Sequence, residues 1–270
     1  MGNSPATPNA SRAKDILEDL ERTLVAFMRK HRITHDEYRL ATQTVIASIK
    51  AGEESLLFDV FCEAESTDIG NIGRQGSPEA IEGPFYLAGS PDVERPQALP
   101  MRDNEKGDTM LFQGTVRDAE GRPIEGAELD IWHADADGLY SNIHPSVPQW
   151  NLRGRICTDA AGNFKVRSIV PPPYEIPKEG PTGQVLKLLE RHCYRPAHIH
   201  VKVRHKDFGE MTSQIYFVGD AYLESDVANA VRDGLVATLV RHDDETDIRA
   251  EELNGPFYTV NYDFRLPLHA

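Results

Sequence analysis

Arg195-Pro196-Ala197-His198-Ile199-His200-Val201-Lys202-Val203-Arg204 is the stretch that decides the fold. Ala197, Ile199, Val201 and Val203 alternate with His198, His200, Lys202 and Arg204. A period of two belongs to a β-strand, so both imidazoles leave the same face. Two neutral imidazoles side by side on a strand can hold one metal ion. A histidine at a strand edge is more often structural than ligating, so the pair alone does not decide between the two.

Outward from this strand the same period recurs. Met110–Val116, Glu128–His133, Gly154–Thr158, Asn163–Ile169, Ala197–Arg204, Met211–Phe217 and Phe257–Phe264 read as strands. Asp118-Ala119-Glu120-Gly121 and Asp159-Ala160-Ala161-Gly162 read as turns, each placing Gly where φ can be positive. Short strands joined by regular turns indicate a mainly β protein, a two-sheet β-sandwich. Gly183–Glu190 is expected to be a short helix, and Asp226–Leu239 a further one.

The first 70 residues read differently. Ile16, Leu17, Leu20, Leu24, Val25 and Met28 recur at three- and four-residue steps, an amphipathic helical stripe. Thr34 followed by Glu37 is a capping box that opens a second helix, which Gly52 would end near Lys50. A third helix is expected from Glu54 to Ser66, and Met1–Ala13 reads as a frayed tail. Three helices make little core alone, so they are expected to pack on the β body or on a second subunit. The expected division is 1–70, an N-terminal helical domain, and 71–270, the sandwich.

The 270 residues carry a formal charge of −14, with 40% hydrophobic and 27% charged residues. That composition is globular, and the acidity disfavours nucleic acid and anionic membranes as partners. Cys62, Cys157 and Cys193 are odd in number and form no CxxC, so a reducing cytoplasm fits better than a disulfide framework. No apolar run approaches the roughly 20 residues of a membrane helix. Gly-x-Ser-x-Gly and His-Glu-x-x-His are absent from the sequence, which leaves no signature of a hydrolase.

What completes a metal site around His198 and His200 is open at this point. A thiolate partner for Cys193 is missing, and carboxylates are too abundant to point anywhere. Tyrosine is the more informative option. Tyr174 follows three prolines, whose fixed φ makes a stiff segment, and Tyr140 follows the turn Asp137-Gly138-Leu139. A phenol ionises near pH 10 in water, and a trivalent cation beside it favours the phenolate. Two phenolates with two imidazoles suit Fe(III) better than Zn(II), and the two-His, one-carboxylate Fe(II) triad fits less well.

Longer motifs then carry a resemblance. They are Ile81-Glu82-Gly83-Pro84-Phe85-Tyr86, Ile131-Trp132-His133-Ala134-Asp135, Asp137-Gly138-Leu139-Tyr140-Ser141 and Trp150-Asn151-Leu152-Arg153-Gly154. Pro173-Tyr174-Glu175-Ile176-Pro177, Glu179-Gly180-Pro181-Thr182-Gly183, Arg195-Pro196-Ala197-His198-Ile199-His200 and Thr212-Ser213-Gln214 follow. In order and spacing they resemble the intradiol ring-cleavage dioxygenases, most of all the catechol 1,2-dioxygenase branch and the similar chlorocatechol enzymes.

The resemblance implies one non-haem Fe(III) per subunit, held by Tyr140, Tyr174, His198 and His200. Tyr174 would also leave the metal and act as base, with Arg195 and Gln214 facing the substrate ring. It implies cleavage of a catechol by O2 to cis,cis-muconate or a substituted muconate, in aromatic compound catabolism. It further implies a homodimer formed through the helical domain, with room for a phospholipid at that interface. Leu56, Asp59, Val60, Ile81, Gly83, Pro84, Phe85, Tyr86, Val227 and Ala228 match the pocket wall.

Ile-Glu-Gly-Pro looks catechol-type, whereas Leu56-x-x-Asp59 resembles chlorocatechol and some catechol types, and hydroxyquinol relatives often carry Leu-Gly-Pro. Chlorocatechol and hydroxyquinol therefore stay as alternative substrates, and a metal-free β-sandwich binding module stays as the reading from another class.

Overall fold

The computed structural model describes residues 10–94 and 97–267. It divides into two compact units between Ala51 and Gly52. The first holds α1 (Ala10–His31) and α2 (His35–Ala51). The capping box is present: Glu37 Oε2 accepts from the Thr34 N–H at 2.7 Å, and Thr34 Oγ1 accepts from the Glu37 N–H at 3.3 Å. Ala10–Ala13, expected in a tail, already belong to α1; the rest of that expected tail, 1–9, lies outside the described residues.

The second unit opens with α3 (Glu54–Asn71), longer than expected. The break anticipated near residue 70 thus falls one helix earlier. The reason lies in α3 itself: Leu56, Leu57, Val60 and Ala64 are buried, and its apolar side is part of the larger unit's core.

The strands are β1 (Thr109–Asp118), β2 (Glu128–Trp132), β3 (Arg153–Cys157), β4 (Asn163–Ile169), β5 (Tyr174–Glu175) and β6 (Tyr194–Arg195). They continue with β7 (His198–His205), β8 (Phe208–Phe217), β9 (Val236–Ala237), β10 (Leu239–His242), β11 (Phe257–Asn261) and β12 (Phe264–Leu266). One sheet runs β3-β2-β7-β8-β9, the other β10-β11-β1-β12 with β4 also on β1. Both are mixed: β1 is parallel to β11 and β12, and β9 is parallel to β8. Between the sheets lie Leu129, Ile131, Ile156, Ile199, Val201, Val203 and Ile215 from one side. Met110, Phe112, Val116, Phe164, Val166, Val260 and Phe264 come from the other. The two expected turns close by Gly121 N–H to Asp118 O and Gly162 N–H to Asp159 O, at 3.0 and 2.9 Å.

β7 keeps its period of two and adds a feature that alternation does not show. His198, His200 and Lys202 are buried as well as Ile199, Val201 and Val203. The first set lies under loops and α3, on the far side of the sheet from the sandwich core. A polar set that alternation alone would leave to water is instead sealed in.

Three expectations are corrected. Asp226–Leu239 is not a helix: it holds an irregular segment, β9 and the start of β10. The Asp226 carboxylate accepts from the N–H groups of Ala228 and Ala230, and φ is positive at Asn229 and Gly234, which breaks any helical path. Phe257–Phe264 is two strands, because β11 pairs with the first half of β1 and β12 with the second. The helix expected over Gly183–Glu190 is α4 (Pro181–Leu188), started by Pro181 in the first turn. No described helix is long and apolar enough to cross a membrane.

His133, just past β2, shows what this burial costs in acid. Its Nδ1 bonds Ala134 O at 2.8 Å and its Nε2 bonds Ser168 Oγ at 2.6 Å. Burial pushes its pKa down from 6.5 to about 4. Below the unfolded value the unfolded chain binds a proton that the fold refuses. Stability is therefore complete above about pH 6.5 and falls as pH drops toward 4, by about 3 kcal/mol from this group. Melting curves across that window should fall less steeply in His133→Gln than in the parent; parallel curves would contradict the assignment.

Candidate active site

Short elements bring the candidate residues together. In the sheet, β7 lies between β2 and β8, with His200 opposite Trp132 on one side and Gln214 on the other. The Trp132 indole stacks on the His200 ring at 4.7 Å and 11°. A two-stranded ribbon places Tyr174 of β5 opposite Arg195 of β6. Tyr140 arrives from a loop whose turn is held by Asp135 Oδ1, which accepts from the N–H groups of Asp137 and Leu139. Gly138 sits at φ +79° and a Cβ there would lie 3.0 Å from the Tyr174 Cβ, so glycine lets the two tyrosine segments close.

The four candidate ligands cluster. Ring centroids are 5.4 Å apart for Tyr140–Tyr174, 5.6 Å for Tyr174–His198, 6.1 Å for Tyr140–His200 and 4.6 Å for His198–His200. All four are buried. His198 Nδ1 lies 2.7 Å from Pro196 O, so it carries the proton and leaves a lone pair on Nε2. That Nε2 stands 3.0 Å from His200 Nε2.

Burial, then the Arg195 charge, pushes His198 down to about 3; burial, then His198, holds His200 well below its ordinary value. Both rings are neutral, the state in which imidazole binds a metal. The Tyr140 hydroxyl and His200 Nδ1 are buried with no hydrogen-bond partner among the described residues. Burial raises the pKa of Tyr140 and of Tyr174, and Arg195 opposes the rise at Tyr174.

No three His, Cys, Asp or Glu side chains gather among the described residues. A metal here therefore depends on the phenols. Two tyrosines and two neutral histidines, with the Tyr140 hydroxyl and His200 Nδ1 left without partners among the described residues, fit a hard trivalent cation, whose charge would offset the burial that now disfavours phenolate.

Arg195 is the hub of the surroundings. Its Nε donates to Asp226 Oδ1 at 3.1 Å. Its NH2 donates to Asp226 Oδ2 at 3.1 Å, Gln214 Oε1 at 2.8 Å and the Tyr216 hydroxyl at 3.0 Å. NH1 stands 3.5 Å from His198 Nε2, toward the candidate ligands. Burial is the largest influence and acts against the charge, but Asp226, Tyr216 and Tyr174 together outweigh it and hold Arg195 well above its ordinary pKa. Gln214 Nε2 donates to Ile81 O at 2.8 Å, which ties the hub to the cavity wall.

That wall bounds a small, mostly apolar pocket. Leu56, Asp59, Val60, Ile81, Gly83, Pro84, Phe85 and Ala228 line it, together with Tyr174, Arg195 and His200. Glu63 and Ile176 line it too and were not anticipated. Tyr86 does not join them. Its ring packs on Trp132, its hydroxyl donates to Asp130 Oδ2 at 3.2 Å, and Lys202 Nζ sits 4.3 Å from its centroid. Val227 packs behind the wall in the cluster of Tyr140 and Tyr174. Asp226 was assigned to a helix and so escaped notice as Arg195's partner. The readable signal was an acid directly before two residues matched to the pocket.

A dioxygenase family model matches residues 81–267. The chain is 40% identical over 236 residues to a chlorocatechol 1,2-dioxygenase of Rhodococcus opacus, covering 86% of this chain and 92% of that protein. It is 36% identical over 267 residues to a catechol 1,2-dioxygenase of Acinetobacter baylyi, covering 94% and 85%. The crystal structure of 3-chlorocatechol 1,2-dioxygenase from Rhodococcus opacus 1CP matches with a TM-score of 0.90 at 36% identity, over 97% of this chain and 100% of that one.

Sandwich, site and relatives together define an enzyme that opens aromatic rings with O2. The chain belongs to the intradiol ring-cleavage dioxygenases, in the branch of the catechol and chlorocatechol 1,2-dioxygenases. The metal-free binding module falls with that membership.

Proposed function

We propose that this chain cleaves catechol between its two hydroxyl-bearing carbons, giving cis,cis-muconate. The observation that carries this reading is the cluster of Tyr140, Tyr174, His198 and His200, two of which, Tyr174 and His200, line one narrow, largely apolar cavity together with Arg195. The balance is simple: one ring C–C bond breaks, and the two atoms of O2 complete the two carboxylates.

Tyr140, Tyr174, His198 and His200 would hold one Fe(III) per subunit. Bound there, the ion would supply Lewis acidity that draws electron density from the diol and opens the ring to O2. The protein's own residues do the rest. Tyr174, which lines the cavity, takes a proton from the entering diol. Arg195, fixed by Asp226 and Gln214, holds a positive charge where the ring becomes electron-rich. Leu56, Val60, Ile81, Phe85 and Ile176 exclude water and clasp the ring faces.

The proposed assembly is a homodimer. Ile16, Leu17, Leu20 and Leu24 of α1 are half or more exposed, an apolar stripe that supports pairing through the helices and the phospholipid site implied there. Cytoplasmic residence is part of the same proposal, consistent with three free cysteines.

The test is a comparison of kcat/KM for catechol, 4-chlorocatechol, 4-methylcatechol and hydroxyquinol on iron-loaded enzyme. Catechol should lead the chloro and methyl compounds. A single methyl or chlorine contact shifts such ratios by only about 1–3 kcal/mol. A chlorocatechol turned over tenfold better than catechol would overturn the assignment.

A further inference from the structure

Glu63 of α3 is a carboxylate that no step of the reaction uses, yet it lines the substrate cavity. Its two oxygens are not equivalent. Oε1 accepts from the backbone N–H groups of Glu82 and Gly83, at 3.1 and 3.2 Å. Oε2 is buried and has no hydrogen-bond partner among the described residues. Asp59, one helical turn earlier on the same face, is partly used, since Ser55 Oγ donates to its Oδ2. The lining they share includes the apolar Leu56, Val60, Ile81 and Pro84, and Arg195, whose charge reaches Glu63 without a hydrogen bond to Oε2. A buried carboxylate oxygen without a donor is costly, and a donor delivered into the cavity would remove that cost.

From this we infer that Glu63 sorts ring-substituted catechols by hydrogen-bonding character. Oε2 accepts a hydrogen bond from a donor substituent, such as a third ring hydroxyl, and disfavours substituents that can only accept or that carry negative charge. The inference rests on the catechol reading above and specifies its substrate class. Burial raises the Glu63 carboxyl pKa and Asp59 adds to the rise, in keeping with an acceptor left without its donor. A polar group built for a substrate hydroxyl discriminates more sharply than an apolar wall, because the analogue without that hydroxyl leaves it unpaired.

Glu63→Gln tests this with little change of shape. The amide oxygen must take the Oε1 place, where two N–H groups point, so the NH2 falls at the Oε2 place and an acceptor becomes a donor. The probes are hydroxyquinol, whose third hydroxyl can donate, and 4-methoxycatechol, whose ether can only accept. Each is measured as kcat/KM on iron-loaded enzyme and as a dissociation constant without oxygen. The parent should bind hydroxyquinol at least tenfold more tightly than 4-methoxycatechol, and in Glu63→Gln that ratio should fall at least tenfold. A ratio that moves less than twofold overturns the inference. Should the variant not fold, the parent decides: equal or weaker binding of hydroxyquinol overturns it. Loss of O2 uptake with every catechol in the parent would instead sink the catechol reading, while the binding ratio still reports on Glu63.

Discussion

Tyr174→Phe should lower kcat by about a hundred- to ten-thousandfold, the range expected when a positioned acid–base group is removed. The ring keeps its packing, with Tyr140 at 5.4 Å and His198 at 5.6 Å, so the fold should survive the change. Only the hydroxyl is lost, and with it both a phenolate ligand and the proposed proton acceptor. The visible absorption from tyrosinate bound to iron should weaken but persist, because Tyr140 remains. Stopped-flow turnover with catechol, read beside the visible spectrum, checks both parts. A kcat within threefold of the parent would remove Tyr174 from the chemistry. An iron-replete parent without colour would remove both tyrosines from the metal.

Arg195→Ala should lower kcat more than it weakens substrate binding, by about a hundred- to thousandfold, as when one preorganised donor to developing charge is deleted. It carries a second effect that the first variant lacks. Asp226 has 8% exposure and its carboxylate faces Arg195 through two bonds. Removing the guanidinium leaves a buried charge, which costs about 3–5 kcal/mol of stability. Calorimetry and steady-state kinetics should therefore move together in Arg195→Ala. In a double variant with Asp226→Asn much of the stability should return while kcat stays low. An unchanged kcat in Arg195→Ala would end its assigned role.

The alternating run around His198 was legible because a strand's period is strong and local. Asn163–Ile169 was legible for the same reason and is β4. The capping box at Thr34 and Glu37 needed only four residues to be seen. The ribbon that sets Tyr174 against Arg195 was not legible, since two-residue strands have no period and their pairing spans the whole of α4. Val227, Val231 and Leu235 repeat every four residues and imitate a helix, but positive φ at Asn229, in the turn that seats Asp226, and at Gly234, in a second turn, breaks it. Phe85 and Tyr86 were both matched to the pocket, yet the turn at Pro84 and Phe85 sends the two side chains different ways. Phe85 turns to the cavity and Tyr86 to Asp130. Glu63 was hidden in a helix by being one acid among many. Its role depends on which backbone amides it meets, and those lie about 20 residues on.

The most direct test of intradiol cleavage at this site is turnover of catechol under oxygen-18 gas, with the product analysed by mass spectrometry. The account predicts stoichiometric O2 uptake and cis,cis-muconate with one labelled oxygen in each carboxylate. A ring opened beside the diol to a semialdehyde, or a muconate without label from the gas, would contradict it.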